Sequence, residues 1–132
     1  MERSNEQSVE ASTDPFVLLV EDDALTRESL VYLLEEEGFA LVTASNGAEA
    51  LERLREGGLP RLILLDLTMP VMSGAELAEA LQRDARLASI PIILMSGLDD
   101  VHRQALQVRA DGYLRKPIDP RILLEVVRSY YS

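Results

Sequence analysis

One rhythm constrains this chain more than any other feature. Short apolar runs that read as strands alternate, five times, with segments carrying leucines at helical spacing. Phe16-Val17-Leu18-Leu19-Val20 is the first run, and Leu30, Leu33 and Leu34 mark a helical face between about Ala24 and Glu37, ended by Gly38. Phe39 to Ala44 reads as a second strand. Asn46-Gly47 then opens a helix to about Glu56, with Ala50, Leu51 and Leu54 inward and Gly57-Gly58 as its stop. Leu62 to Leu65 is the third strand, and Ser73 caps a helix to about Arg83 with Leu77 and Leu81 one turn apart. Ile90 to Met95 is the fourth strand, with Pro91 tolerated at its start. A short helix from Asp99 or Asp100 to about Val108 and a brief strand at Gly112-Tyr113-Leu114 follow. Asp119 caps the last helix, with Pro120 at its first position and Leu123, Val127 and Tyr130 on one face.

Alternation of this kind predicts an α/β domain in three layers, a parallel sheet of five strands with helices on both faces. At 132 residues the chain has the length of one domain, and its 47% hydrophobic and 27% charged residues suit a globular fold. No apolar run approaches the ~18 residues of a membrane span. The opening MERSNEQSVEASTD has no apolar core for a signal peptide, so residues 1–14 read as a disordered tail before a domain at 15–132.

Absences narrow the chemistry. With no cysteine there is no disulfide, thiolate metal site or thiol nucleophile, and a cytoplasmic location fits. The single histidine, His102, excludes multi-histidine metal sites and reads as an exposed helix residue. A formal net charge of −10 argues against nucleic acid as a direct partner.

In open parallel sheets the functional groups gather beyond the carboxyl ends of the strands. Here strand one runs into Glu21-Asp22-Asp23, strand three into Asp66, strand four into Ser96-Gly97 and strand five into Arg115-Lys116-Pro117. Asp66 raises the sharpest question, because it ends the most apolar strand and an unpaired buried carboxylate costs several kcal/mol. Alone it reads as a turn residue. Together with Glu21 and Asp22 it forms a set of repelling carboxylates, for which protonation or a divalent cation is the remedy. Oxygen donors too few for a full cage point to Mg²⁺ with retained waters, or Mn²⁺ in its place.

The pieces VLLVEDD, LILLDLTMP, PIILMSG and DGYLRKP, in this order and spacing, resemble the receiver domain of two-component response regulators from about residue 15 to 131. The resemblance implies a flavodoxin-like (βα)5 fold with strand order 2-1-3-4-5. It implies that Asp66 is a phosphoacceptor taking a phosphoryl group from a histidine kinase or histidine phosphotransfer protein, in a phosphorelay signalling domain rather than an enzyme. Asp22 matches a direct metal ligand, Glu21 its neighbour acting through metal-bound water, and the Thr68 backbone carbonyl a further ligand. Lys116 matches the lysine that pairs with phosphoryl oxygens, Ser96 the hydroxyl that moves to meet them, and Tyr113 the aromatic whose packing follows. The Lys116–Pro117 bond is cis in similar proteins. The surface near Ala24, Leu25 and Arg27 would dock the donor.

Plainer readings stand beside these. Asp23 suits a helix N-cap, Lys116 alone a surface lysine, Ser96 a turn, Tyr113 a half-buried core position, and Met69-Pro70 loop shaping. Ile122 and Val126 form a second apolar stripe on the last helix, suited to core packing, to an unknown output partner, or to a homodimer through the fourth helix, fifth strand and fifth helix. The chain departs from the family at Glu21, where many relatives have aspartate, and at Arg109, where a glycine is usual. Thr68 and Leu98 sit at positions that tune acyl-phosphate lifetime in the family, and the Ser96–Tyr113 segment is about two residues shorter than in the standalone chemotaxis receiver. Two other functions remain open. An aspartyl-nucleophile phosphatase of the haloacid-dehalogenase type needs a second aspartate where Thr68 stands, and a pseudo-receiver typically loses part of the acidic, serine and lysine set kept here. A stand-alone regulator and the amino-terminal receiver of a longer protein both fit.

Overall fold

A computed structural model describes residues 15–67, 72–97 and 101–131. The elements run β1 (Val17–Val20), α1 (Ala24–Glu36), β2 (Leu41–Ala44), α2 (Gly47–Glu56), β3 (Leu62–Asp66), α3 (Gly74–Gln82), β4 (Ile92–Ser96), α4 (Val101–Gln107), β5 (Gly112–Arg115) and α5 (Pro120–Ser129). All pairings are parallel and the five strands lie in the order β2-β1-β3-β4-β5, as expected. The predicted tail at 1–14 and the start of the fourth helix at Asp99 or Asp100 lie outside the described residues.

Period-two alternation in the strands divides the core between two layers. Leu18, Val20, Ile63, Leu65, Ile92 and Leu94 face α2, α3 and α4, where Ala50, Leu54, Leu77, Leu81 and Ala105 meet them. Val17, Leu19, Leu62, Leu64, Ile93 and Met95 face the other way, onto Leu30 and Leu34 of α1 and Leu123 and Val127 of α5. β3 is thus covered on both sides and none of its residues exceeds 4% exposure. Each of its aliphatic side chains contributes about 1.5–3 kcal/mol by burial, which makes this strand the centre of the fold.

Polar residues set the helix starts. Asp23, Asn46, Ser73 and Asp119 each accept a backbone N–H from the first turn that follows, at 2.8, 2.8, 3.2 and 2.9 Å. Ser73 and Glu76 complete a capping box, since the Glu76 carboxylate accepts the Ser73 N–H at 2.9 Å. Several strand limits differ from expectation. Phe39 donates its N–H to Leu34 O at 3.0 Å as part of the α1 cap, so β2 begins at Leu41. Ile90 closes a turn onto Leu87, and Pro91 has no N–H to give, so β4 starts at Ile92 and runs on through Ser96. β3 likewise extends to include Asp66, and β5 to include Arg115.

Parallel register then decides where the chemistry goes. Val20 lies beside both Ala44 and Leu65, Asp66 beside Met95, and Ser96 beside Arg115. The residues that follow or end β1, β3, β4 and β5 therefore share one edge of the sheet.

Candidate functional site

At that edge Glu21 is fully buried, Asp66 is 4% exposed and Asp22 is open to solvent. Each offers one carboxylate oxygen, and these oxygens lie within 4.8 Å of one another. Lys116, just after β5, reaches into the group: its Nζ lies 2.9 Å from Glu21 Oε1 and 3.5 Å from Asp66 Oδ1. Burial works against the lysine's charge, but the hydrogen bond to Glu21 and the fields of Asp66 and Glu21 outweigh it and raise the ammonium pKa above its ordinary value. The three carboxylates outnumber the Lys116 ammonium that reaches between them, and every ligand atom they offer is oxygen. Such a set fits a hard divalent cation, with exposed Asp22 leaving room for water.

The backbone around the acidic turn is fixed from α1. Arg27 Nη1 donates to Glu21 O at 2.8 Å and to Asp22 O at 3.4 Å, a positioning role that the sequence did not disclose. Asp23 is committed to the α1 cap, accepting both Thr26 N and Thr26 Oγ1, and these bonds, the hydroxyl's first, lower its pKa. Its own N–H donates to Glu21 Oε2 at 3.2 Å.

Ser96 ends β4, 2% exposed, and its carbonyl accepts the Lys116 N–H at 2.8 Å. The Lys116–Pro117 peptide bond is cis. Thr68 lies outside the described residues, as do Met69, Pro70 and Leu98. Tyr113 is 41% exposed on β5, with its ring edge-on to His102 at 5.4 Å between centroids. It is a surface residue rather than a core tyrosine, and His102, exposed as expected, has a ring partner. That contact joins α4 to β5 across residues 11 apart, and no local pattern announces it.

Gly74 is a second feature that its own sequence neighbourhood does not disclose. A Cβ there would lie 2.6 Å from Asp66 O and 2.8 Å from Leu67 Cα, so α3 approaches the end of β3 more closely than any side chain permits. Beside the predicted docking region, Leu25, Thr26 and Ser29 of α1 line a groove with Pro117 and Ile118.

Residues 17–128 match the response regulator receiver domain family. The chain is 40% identical over 110 residues to the phosphate regulon transcriptional regulatory protein PhoB of Pseudomonas aeruginosa, covering 82% of this chain and 48% of PhoB. It is 35% identical over 116 residues to an uncharacterised 14.6 kDa protein of Leptolyngbya boryana, covering 86% of this chain and 88% of that one. It therefore spans about half the length of PhoB but most of the Leptolyngbya boryana protein. Among solved structures, a response regulator receiver protein from Pseudomonas putida superposes with a TM-score of 0.81 at 32% identity, over 89% of this chain and 98% of that one. The chemotaxis protein CheY4 of Vibrio cholerae gives 0.79 at 28%, over 88% and 98%. With fold, strand order and family match in agreement, this chain belongs to the response regulator receiver domain family.

Proposed function

We propose that Asp66 accepts a phosphoryl group from a phosphohistidine on a histidine kinase or a histidine phosphotransfer protein. One observation carries the reading: a nearly buried carboxylate at a strand end sits within 3.5 Å of an ammonium and beside two further carboxylates. Phosphoryl transfer asks the protein for position and charge neutralisation, and a carboxylate fixed at a strand end with the Lys116 ammonium beside it supports that reading. An Asp66 carboxylate oxygen forms the bond to phosphorus as the phosphorus–nitrogen bond to imidazole breaks, and the imidazole keeps the electron pair. The product is an acyl phosphate on Asp66.

In this proposal Asp22, Asp66 and the Thr68 carbonyl would hold Mg²⁺, or Mn²⁺, with Glu21 acting through a metal-bound water. When bound, the cation neutralises charge on the transferring oxygens. Lys116 contacts those oxygens once they sit on Asp66, and Ser96 supplies a hydroxyl from β4. Tyr113 repacks with that change, so the α4, β5 and α5 surface carries the output. Exposed Leu106, Tyr113 and Ile122 offer that surface to an output partner or a second copy of the chain, while Val126 packs against the core. The groove of Leu25, Thr26, Ser29, Pro117 and Ile118 is the proposed donor dock, adjoining Lys116.

Intact-mass spectrometry after incubation with acetyl phosphate tests this. We expect one added phosphoryl group that requires Mg²⁺ and is absent in Asp66→Asn. Continuous release of phosphate from added esters would instead favour a phosphatase. No adduct and no beryllofluoride binding with Mg²⁺ would favour a pseudo-receiver.

A further inference from the structure

Lys116 is the only lysine in the chain, against twelve arginines, and its ammonium is closer to Glu21 than to Asp66. Glu21 is built to hold it. Its side chain is 1% exposed, Oε1 accepts from Lys116 at 2.9 Å, Oε2 accepts from the Asp23 N–H at 3.2 Å, and its carbonyl is pinned by Arg27 at 2.8 Å. An aspartate on the same backbone would fall short of Lys116 by roughly one carbon–carbon bond, ~1.5 Å. The extra methylene is therefore what lets residue 21 grip the lysine.

We propose that Glu21 is a positioning residue for Lys116: in the resting site it holds the ammonium closer than Asp66 does, and a phosphoryl group on Asp66 must take the ammonium from it. This rests on the phosphoacceptor reading of Asp66. Breaking the Glu21–Lys116 hydrogen bond offsets part of the stabilisation that the ammonium gives the phosphoryl oxygens, so the pair acts as a latch on the charged state. Shortening residue 21 releases the latch, and the release is visible only if Lys116 is present to be released.

A single lysine makes the test direct, because protein labelled at lysine ¹³Cε gives one side-chain resonance. The full chain is compared with Glu21→Asp and with Lys116→Gln, and with the double variant, before and after beryllofluoride in Mg²⁺. Glu21→Asp is expected to move the resting Lys116 resonance toward its beryllofluoride-bound position. It is also expected to tighten beryllofluoride binding by roughly three- to tenfold, the scale of one ordinary hydrogen bond's net contribution. In the Lys116→Gln background the same substitution is expected to have no such effect. A resonance unmoved by Glu21→Asp, or a tightening that persists without Lys116, overturns the latch. Wild type that binds no beryllofluoride overturns the phosphoacceptor reading instead, and the resting resonance in Glu21→Asp still decides the pairing. Glu21→Gln keeps the length and drops the charge, and serves as the second variant should Glu21→Asp not fold; it too is expected to shift the Lys116 resonance.

Discussion

Gly38 and Arg109 occupy the same place in two matching helix caps, with φ of 92° and 60°. In each, the residue's own N–H returns to the carbonyl three before it, and the next residue's to the carbonyl five before that one: Gly38 to Glu35 and Phe39 to Leu34, Arg109 to Leu106 and Ala110 to Ala105. One cap uses the residue suited to positive φ and the other does not. Left-handed backbone costs a side-chain-bearing residue about 1–2 kcal/mol, part of which glycine gives back as unfolded-state entropy. Arg109→Gly should therefore stabilise the chain by about 0.5–1 kcal/mol. Gly38→Ala should destabilise it by about 1 kcal/mol although a Cβ there meets nothing within 4 Å. Urea unfolding measures both; equal midpoints for Arg109→Gly and wild type would mean that Arg109 carries no strain.

Glu49 gives the fold an acid-side dependence. Its carboxylate accepts the Ser45 N–H at 2.6 Å and the Ser45 hydroxyl at 3.1 Å, and these bonds, the backbone one first, hold its pKa below the ordinary glutamate range. A pKa depressed by folding contributes stability that is present above the unfolded value and lost as pH falls through the folded one. Unfolding free energy should decline below about pH 4.3, and Glu49→Gln should flatten that part of the curve. Parallel curves for the two proteins would remove Glu49 from the account.

Gly74→Ala should injure the site and the fold together. The new methyl meets Asp66 O and Leu67 Cα, which are backbone atoms with no rotamer to escape into. A loss of about 1–3 kcal/mol is expected by thermal unfolding, as for other overpacked positions. Acetyl phosphate labelling of the folded fraction should also slow, because relief of the clash displaces Asp66. Labelling at the wild-type rate would mean that the clash is relieved away from Asp66.

Arg86 joins distant segments through a guanidinium fork. Nη1 donates to Leu54 O at 3.0 Å and Nη2 to Gly57 O at 2.8 Å, closing the end of α2. Lysine cannot reproduce two donors in that plane. Arg86→Lys should lose about 1–2 kcal/mol, nearly as much as Arg86→Ala. Wild-type stability in the lysine variant would show that one donor is enough.

What the sequence disclosed follows from what is local. The strands announce themselves because β3 and its neighbours are buried on both faces, and the caps at Asp23, Asn46, Ser73 and Asp119 because a short polar side chain bonds only two or three residues ahead. Once the strands are parallel, the groups at their ends must meet, so Glu21, Asp22, Asp66, Ser96 and Lys116 were legible as a set. Approaches between distant elements were not. Arg27 on the Glu21 carbonyl, Arg86 on the end of α2, His102 on Tyr113 and Gly74 against Asp66 depend on how those elements come together. The turn holding buried Leu87 and Ile90 was missed because it has neither strand nor helix periodicity.

The lysine and the glutamate it grips are 95 positions apart, and Lys116 follows β5, which pairs with β4 at the outer margin of the sheet. Their meeting requires β1, β3, β4 and β5 all to be in register. A chain emerging from synthesis, or one with its last strand detached, lacks the ammonium at Asp66 however well the rest has formed. The carboxylate–ammonium edge is thereby tied to the completion of assembly: it exists only once the last strand has joined the sheet.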